Sequence, residues 1–522
     1  MSHGTIAAGH AKTAEAGLEM FRLGGNVFDA VVAAVMASFA VEPTLTSPAG
    51  GGFLLAHTQN DQNILFDFFT QTPRQKRDLG AIDFYPVEVD FGSVTQEFHV
   101  GLGSMAVPGA IGGLFHVHQR LGKLPMSVVV EPAIHYARSG VEVSPFQAYC
   151  FQILSPILVA TPAGRQIFTQ NGALLQSGMQ LVMPELADTL SYLAQEGVRG
   201  FYQGDIAQQL VKDCQERGGY LTRADLENYQ VIERQPLITQ YRGDTVLSNP
   251  PPSSGGTLIA FALALLSGLD MTQLPFGSVE HLRSLAKVMQ LTNLARKDGY
   301  DARIYESDAA AQLLSPAHLA AYERQLAAER LGSNPLGVNK WGSTTHVSAI
   351  DSEGNAASVT TTNGEGSSYL IPGTGVMVNN MLGEADLHPN GFHQWQENIR
   401  ISSMMAPTIL LRNHQPEFVL GSGGSNRIRT AVLQVISNLI DFGMSIEAAV
   451  SSPRIHWESG VFNVEPGFGN IVIDRTTFPF DGQVELWGQQ NMFFGGVHAV
   501  TRSRSGLAGA GDPRRGGVVA VL

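Results

Sequence analysis

The length, composition and charge of the chain set the first limits on its function. It has 522 residues, of which 44% are hydrophobic and 15% charged, and a formal net charge of −13. This composition is typical of a well-packed globular protein rather than a disordered one. The acidic balance argues against nucleic acid as a partner, because phosphate binding needs a basic surface. The two cysteines, Cys150 and Cys214, have no zinc-ligand spacing, although one disulfide between them stays open.

The first part of the chain is predicted to begin with two helices. Residues 11–25 form an amphipathic pattern that ends at Gly24 and Gly25. The apolar stretch 28–41 is too short for a membrane span, which needs ~20 residues, so a buried helix is predicted and no membrane partner. No basic segment followed by an apolar one opens the chain. The cytoplasm is therefore the expected compartment, or the periplasm if a leader has been removed.

The middle of the chain is predicted to alternate between strands and helices and then to become mainly helical. A glycine triplet at 50–52 leads into a short apolar strand, and "ILFDFFTQTP" has the pattern of another strand. Residues 184–298 are predicted to be mainly helical, with a Pro/Ser/Gly turn at 250–256. A further helix is predicted over 309–331, and a breaker-rich loop follows it.

After that loop the hydrophobic period changes from helical to alternating. "TTHVSAID" and "AASVTTT", separated by "SEGN", predict a β-hairpin. Four more strands are predicted in "GVMVNN", "APTILLRN", "EFVLGSGG" and "GGVHAVTRS", and another in "NIVID". A long helix is predicted directly after Gly423 and Gly424, with Gly443 near its end. The chain is thus α-rich up to the loop before Thr344 and β-rich after it.

A threonine pair at the start of a strand, behind a small and flexible Gly342–Ser343 step, has a chemical use. If the backbone is cut between Ser343 and Thr344, Thr344 gains a free α-amine with a reference pKa near ~8. That amine can take the proton of the Thr344 hydroxyl, which alone is a poor nucleophile. The cut can be made by the chain itself, when the Thr344 hydroxyl attacks the Ser343 carbonyl and water hydrolyses the ester.

The motifs along the chain resemble the γ-glutamyltranspeptidase family of N-terminal nucleophile hydrolases. They are "TAEAG", "GGNVFDAVVAA", "VEP", "GGGF", "VPG", "PPPSSGGT", "TTHVSAIDSEGNAASVT", "VNNM", "APTI" and "GDPRRGG". The Thr-Thr-His hairpin is the most specific of them. The resemblance implies an α/β fold, a four-layer α/β/β/α sandwich. It would be built by a large fragment, 1–343, and a small fragment, 344–522, which stay associated.

The resemblance also implies the catalytic residues. Thr344 matches the family nucleophile. Thr362, on the returning hairpin strand, matches a threonine that hydrogen-bonds the nucleophile. Gly423 and Gly424 match the pair of backbone N–H groups that forms the oxyanion hole, with Ser425 if the register slides by one. The position before a long helix supports that role, because helix N-terminal amides favour negative charge.

The substrate-binding positions depart from the family pattern. Phe69 stands where the family has an arginine for the substrate α-carboxylate, and phenylalanine cannot form that bidentate bond. Where the family has a pair of serines that support the substrate, this chain has Ser403 and Met404, so one hydroxyl group is missing. Arg74 or Arg400 could supply a substitute charge, although each is more typical of a surface residue.

The site for the substrate amine is altered but keeps its acids. A family glutamine is replaced by Met381, and the amine-binding aspartate by Glu384, with Asp386 nearby. Asn363, next to Thr362, is also predicted to contact the substrate.

These residues predict a self-cleaving amidase or acyltransferase with altered γ-glutamyl specificity. It would form a Thr344 acyl-ester and pass the acyl group to water or an amine. The partner is a small-molecule amide, γ-glutamyl or with another acyl group, oxamate-like or glutaryl as in cephalosporin acylases. A non-catalytic binding homologue is the alternative. No cofactor or metal is predicted, because the amine and the amides suffice.

Overall fold

Two antiparallel sheets form the middle of the molecule. The computed structural model describes residues 3–90, 95–326, 342–388, 391–469 and 483–522. The strands of the two sheets are β1 (Gly4–Ala8), β2 (Gly51–His57), β3 (Asn63–Phe68), β4 (Ile232–Arg234), β5 (Leu237–Tyr241), β6 (Asp244–Ser248), β7 (Thr345–Asp351), β8 (Ala356–Thr362), β9 (Thr408–Arg412), β10 (Gln415–Gly423), β11 (Gly496–Ser503), β12 (Gly506–Ala510) and β13 (Val518–Val521). One sheet has the order β4-β3-β2-β8-β7-β1-β13 and the other β5-β6-β9-β10-β11-β12.

Helices cover the outer faces of both sheets. They are α1 (Ala11–Arg22), α2 (Val27–Val41), α3 (Ala110–Leu121), α4 (Met126–Ser139), α5 (Pro145–Leu158), α6 (Pro162–Phe168), α7 (Pro184–Glu196), α8 (Val198–Tyr202), α9 (Asp205–Arg217), α10 (Arg223–Glu227), α11 (Gly255–Ser267), α12 (Val279–Ala295), α13 (Ala309–Leu313), α14 (Pro316–Leu326), α15 (Arg427–Ile440) and α16 (Ile446–Ser451). Smaller ladders pair Tyr85–Asp90 with Thr95–Val100, and Ile455–Glu458 with Val461–Val464.

The layers follow the predicted order of helix, sheet, sheet and helix. β7 packs across the interface on β10 and β11, while α1 and α2 lie on the other side of the first sheet and α11, α15 and α16 on the other side of the second. The predicted four-layer α/β/β/α sandwich is therefore confirmed. Each sheet contains strands from both sides of residue 344. Both predicted fragments thus contribute strands to each of the two sheets.

The apolar helix α2 is buried along its whole length, as predicted. All of its residues, including Asp29, are buried. Asn26 and Asp29 form a capping box at its start, and the Asp29 carboxylate also accepts from the Lys123 N–H at 3.0 Å. Backbone donors thus satisfy the one charged group of the helix. No helix in the described ranges is both long and apolar enough to cross a membrane.

The hairpin that carries the threonine pair is the centre of the first sheet. β7 and β8 pair with Thr345 opposite Thr361, as the alternating pattern predicts. Every residue of both strands is buried, because one face packs on helices and the other on the second sheet. The hydroxyls of Ser348 and Ser358 therefore bond the second sheet, while those of Thr345 and Thr361 bond Glu42 and Thr46 on the helix side.

Some predicted elements differ from the structure. The mainly helical segment 184–298 contains the strands β4, β5 and β6. The helix predicted over 309–331 is broken into α13 and α14, because Pro316 cannot continue a helix; residues 327–331 and the "NIVID" strand lie outside the described residues. Cys150 and Cys214 are both free and buried, so they form no disulfide.

A buried ionic network fixes the loop that follows β12. The Asp512 carboxylate accepts from Arg454 at 2.6 Å and from Arg514 at 3.1 Å, and Arg514 also binds the Glu465 carboxylate. All four side chains are buried. Burial alone would raise the pKa of Asp512, but the two guanidinium groups hold it below its usual value. The network holds the neighbouring Arg515 in place.

Asp512→Ala is expected to destabilise the protein by about 3–5 kcal/mol, because it leaves buried guanidinium groups without their carboxylate. The midpoint of urea unfolding measures the effect. Asp188→Ala is the matched control, since it breaks an ion pair with Arg138 of the same 2.6 Å length on the surface and should change little. Equal losses in the two variants would contradict a structural role of the network.

Candidate active site

A cavity of about 560 Å³ lies beside the start of β7. Most of the predicted site residues line it, together with an apolar wall that includes Tyr305, Trp395 and Met405. The predicted residues in its lining are Phe69, Ser343, Thr344, Thr362, Glu384, Asp386, Ser403, Met404 and Ser425. The fold therefore brings together positions that are distant in the sequence.

The peptide bond between Ser343 and Thr344 lies in the wall of this cavity. The Thr362 hydroxyl donates to the Ser343 carbonyl oxygen at 2.5 Å and accepts from the Gly364 N–H at 3.0 Å. The resemblance implies that Thr362 bonds the hydroxyl of the nucleophile. In the uncleaved chain the Thr362 hydroxyl instead donates to the carbonyl oxygen of Ser343, the residue before Thr344. Thr362 thus polarises the carbonyl that Thr344 would attack.

Glu365 holds the same residue from its other side. One carboxylate oxygen accepts from the Ser343 N–H at 2.9 Å, and the other accepts from the Ser343 hydroxyl in a short hydrogen bond. Burial raises the pKa of Glu365, against the opposing effect of the Ser343 donors and of Arg515. Sequence reasoning missed Glu365, although it stands only three residues after Thr362.

Arg515 is a second residue that the sequence analysis did not assign. Its guanidinium donates to the carbonyl oxygens of Thr344 and Gly342 at 3.4 Å and of Met492 at 3.3 Å. The side chain is buried, and burial lowers its pKa from the usual value. The signal in the sequence is "GDPRRGG", which carries the resemblance but indicates no role. Arg515 binds the backbone on both sides of Ser343.

The predicted oxyanion residues form a tight turn next to Thr344. Gly423 is the last residue of β10, and a Cβ there would lie only 2.2 Å from the Thr344 carbonyl oxygen. Gly424 and Ser425 have positive φ angles of 123° and 50°. Their N–H groups have no acceptor within the described ranges. If the alignment with the family is shifted by one residue, the oxyanion pair is Gly424 and Ser425. The N–H groups of this pair are both available as donors just before α15.

The apolar side of the cavity contains the residues that replace polar groups of the family. Phe69 is buried and stacks on Phe53, with ring centroids 5.5 Å apart. The Ser403 hydroxyl accepts from the Met405 N–H at 3.0 Å, and the Met404 sulfur accepts from Ser254. These contacts leave an apolar surface where the family pattern has a carboxylate-binding group.

Neither arginine suggested as a substitute lies in the cavity lining. Arg400 is buried against Asp67 at 3.1 Å and donates to the Phe69 carbonyl oxygen at 2.7 Å. Arg74 is exposed. Asn363 is also outside the lining, because its side-chain amide turns away to the Met377 carbonyl oxygen at 3.3 Å. Arg74 thus lies at the surface, as favoured from the sequence, whereas Arg400 is buried and that prediction is wrong.

The polar side of the cavity is mainly acidic. Asp386 accepts from the Ser425 hydroxyl at 2.7 Å. Removal from water raises the pKa of Glu384 well above its usual value, and the carboxylates of Glu365 and Asp386 add to the effect. The cations among the described lining residues are Arg296, paired with Asp301 at 2.8 Å, and Lys297. Both lie where α12 ends, which the sequence analysis treated only as a helix.

This arrangement can be compared with known proteins. A sequence model described as Gamma-glutamyltranspeptidase matches residues 13–522. The chain belongs to the γ-glutamyltranspeptidase family. The predicted resemblance is thus confirmed, and the chain is an enzyme of this family of N-terminal nucleophile hydrolases.

Relatives in the γ-glutamyltranspeptidase family carry two kinds of name. The chain is 32% identical over 473 residues to an Acylase ACY 1 proenzyme from Pseudomonas sp. (strain V22), covering 89% of this chain and 84% of that one. It is 30% identical over 540 residues to a Glutathione hydrolase proenzyme from Escherichia coli (strain K12), covering 98% and 90%.

A solved structure of a cephalosporin acylase from Bacillus halodurans superposes on the fold. Its TM-score is 0.84 at 25% identity, over 99% of this chain and 96% of that chain. Together with the relatives it makes the non-catalytic alternative untenable, because these family members are named as enzymes.

Proposed function

We propose that the chain cleaves its own Ser343–Thr344 bond and then uses Thr344 to hydrolyse or transfer the acyl group of a small amide. The observation that carries the proposal is the 2.5 Å hydrogen bond from the Thr362 hydroxyl to the Ser343 carbonyl oxygen, beside Thr344 in the cavity wall. The word proenzyme in the names of the relatives supports the first step.

The first reaction is an acyl shift within the chain. The Thr344 hydroxyl oxygen bonds to the Ser343 carbonyl carbon, the bond from that carbon to the Thr344 nitrogen breaks, and the hydroxyl proton passes to the nitrogen. Thr362 stabilises the negative charge that develops on the carbonyl oxygen. Water then hydrolyses the ester, leaving a Ser343 carboxyl group and a Thr344 with a free amine and a free hydroxyl.

The second reaction uses the new terminus on an external amide. The α-amine of Thr344 takes the hydroxyl proton as the oxygen attacks the substrate carbonyl, and the leaving amine is protonated as its bond to the acyl carbon breaks. The N–H groups of Gly424 and Ser425 would stabilise the oxyanion, and Gly423 packs closely against the Thr344 carbonyl oxygen. Water or an acceptor amine then takes the acyl group from the ester.

The cavity favours an acyl group that is less polar than γ-glutamyl. Phe69 and Met404 form its apolar wall, and Arg400 is committed to Asp67. A substrate carboxylate at Phe69 would be buried without a cation, which is costly. One relative is named an acylase and one solved structure a cephalosporin acylase, rather than a glutathione hydrolase, which supports an acyl group other than γ-glutamyl. A γ-glutamyl substrate is the second candidate, because Glu384 and Asp386 keep an acidic site for an ammonium group.

A panel of anilides tests the proposal on the processed enzyme. It would contain γ-glutamyl, glutaryl and oxamate-like acyl groups, with Thr344→Ala protein as the blank. We expect glutaryl anilide to have a higher kcat/KM than γ-glutamyl anilide, because the two share the carboxylate but glutaryl brings no ammonium group into this largely apolar cavity. A strong preference for γ-glutamyl would contradict the proposed acyl group, and no turnover of any amide would contradict the enzymatic role of this site.

Phe69→Arg is expected to raise kcat/KM for γ-glutamyl anilide by about 10- to 150-fold relative to 4-aminobutyryl anilide, which keeps the amine and lacks only the α-carboxylate. The physical reason is a new charge-assisted contact with the α-carboxylate, worth roughly 1.5–3 kcal/mol. We expect a smaller gain than this contact alone would give, because Met404 and Glu384 also differ from the family pattern. The effects of substitutions at neighbouring positions are not additive. Steady-state kinetics with both anilides measure the ratio.

The matched control for this change is Phe69→Met, which removes the ring and adds no charge. It should leave the ratio between the two anilides close to that of the wild type. If the wild type already turns over γ-glutamyl anilide efficiently and Phe69→Arg changes nothing, position 69 does not face the substrate carboxylate.

A further inference from the structure

We infer that Glu365 is a positioning residue for self-cleavage, and that it requires a hydrogen-bond donor on the side chain of residue 343. The inference rests on the proposed function, because it assigns a group that acts on the Ser343–Thr344 bond. Glu365 does not take part in the exchange of bonds described above. It sets the orientation of the acyl side of the bond that breaks.

Both oxygens of the Glu365 carboxylate are engaged by the same residue. One accepts from the Ser343 N–H at 2.9 Å and the other from the Ser343 hydroxyl. Ser343 is 6% exposed and Glu365 is 3% exposed, so water does not compete strongly for these groups. A carboxylate that binds the backbone and the side chain of one residue fixes its rotation.

Three groups hold Ser343 from different sides. Thr362 binds its carbonyl oxygen, Glu365 its N–H and hydroxyl, and Arg515 the carbonyl oxygens of the flanking Gly342 and Thr344. Together these contacts fix the orientation of the scissile carbonyl. Reactions in such fixed geometries gain rate because orientation has been settled before attack.

Thr362 and Glu365 come from one short segment at the end of β8. The Glu365 N–H donates to the Asn380 side-chain oxygen at 2.8 Å, and Glu365 forms a β-bridge with Asn363. This anchoring keeps the carboxylate in place. No hydrogen bond joins Glu365 to the Thr344 hydroxyl in the described part of the chain. These contacts therefore assign a positioning role to Glu365, and not the removal of the proton from the Thr344 hydroxyl.

A double-mutant cycle tests the pair. Full-length chains are made by cell-free synthesis with labelled methionine, and the fraction cleaved is followed on denaturing gels. Glu365→Ala should slow cleavage about 10- to 150-fold, the range for a hydrogen bond to a charged group. Ser343→Ala should slow it as well, but by less. The double variant should be no slower than Glu365→Ala, because the hydroxyl has then lost its partner.

Two further variants separate positioning from proton transfer and from general damage. Glu365→Gln should cleave within a few-fold of the wild type, since its amide can accept from the Ser343 N–H and donate to the hydroxyl oxygen. Ser367→Ala is the matched control, because it removes a buried hydroxyl two residues away that donates to Val378 at 2.8 Å. It should cleave at the wild-type rate.

The outcomes are distinguishable from those of the proposed function. A wild-type chain that never cleaves its Ser343–Thr344 bond would contradict the proposed function itself. Wild-type cleavage with an unchanged rate in Glu365→Ala overturns only the role of Glu365. Glu365→Gln as slow as Glu365→Ala assigns proton transfer and overturns positioning. If Glu365→Ala does not fold, the cleavage rates of Ser343→Val and Ser343→Thr test the inference instead. Only threonine keeps a hydroxyl donor at position 343, so it should cleave faster than valine. Equal rates in these two variants would overturn the inference.

Discussion

Thr344→Ala protein is expected to remain one chain of 522 residues and to have no amide hydrolase activity. Without the hydroxyl neither the acyl shift nor the later acyl-ester can form. The wild type should separate on denaturing gels into residues 1–343 and 344–522. Intact mass measurement would place the cut at one bond. This change has the largest expected effect, because it removes both reactions at once.

Two further variants at this position serve as controls. Thr344→Val has the shape of threonine but no hydroxyl, so it should also stay in one piece. Thr344→Ser keeps the hydroxyl and should be cleaved. A full-length wild-type chain that nevertheless turns over an amide would mean that the nucleophile is not an N-terminal threonine.

The hairpin and the long helices could be predicted because their signals are local. The alternation in "TTHVSAID" and "AASVTTT" needs only the pleat of a strand, and β7 and β8 form as predicted. The apolar run that forms α2 also indicates its own burial. Such patterns are decided by neighbours in the sequence.

The strands β4, β5 and β6 could not be predicted in the same way. In the described ranges β4 pairs only with β3, and β6 pairs on one side with its hairpin neighbour β5 and on the other with β9, which lies more than 150 residues further on. Their alternation is short and is interrupted by the turn at Arg242 and Gly243. The partner strand decides such a segment, and its position is not visible from nearby residues.

The site shows the same division between local and distant information. Thr344 and Thr362 are predictable because one hairpin carries both. The role of Arg400 depends on Asp67, more than 300 residues earlier, so the sequence could not show that its charge is already engaged. Arg515 reaches the backbone at Gly342 and Thr344 from the other end of the chain. Only the closed fold places these groups.

Thr362 combines two contacts that would be lost together. Its hydroxyl donates to the Ser343 carbonyl oxygen in the unbroken chain, and it accepts from the Gly364 N–H at the start of the segment that carries Glu365. The hydroxyl is thus both a donor to the developing oxyanion and a fixed point for that segment. After cleavage we expect it to bond the free hydroxyl of Thr344, as the resemblance implies.

Thr362→Ala is therefore expected to slow self-cleavage by ~10²–10³-fold, the usual effect of removing one donor to an oxyanion, and to slow acylation in whatever enzyme is cleaved. Cleavage is followed on gels during cell-free synthesis, and acylation by the burst of anilide released. Thr362→Ser keeps the donor and should be close to the wild type. Thr361→Ala is the neighbouring control, because its hydroxyl pairs with Thr46 at 3.0 Å and not with Ser343. Equal cleavage rates in Thr362→Ala and the wild type would remove Thr362 from the reaction and leave the Ser343 carbonyl without its proposed donor.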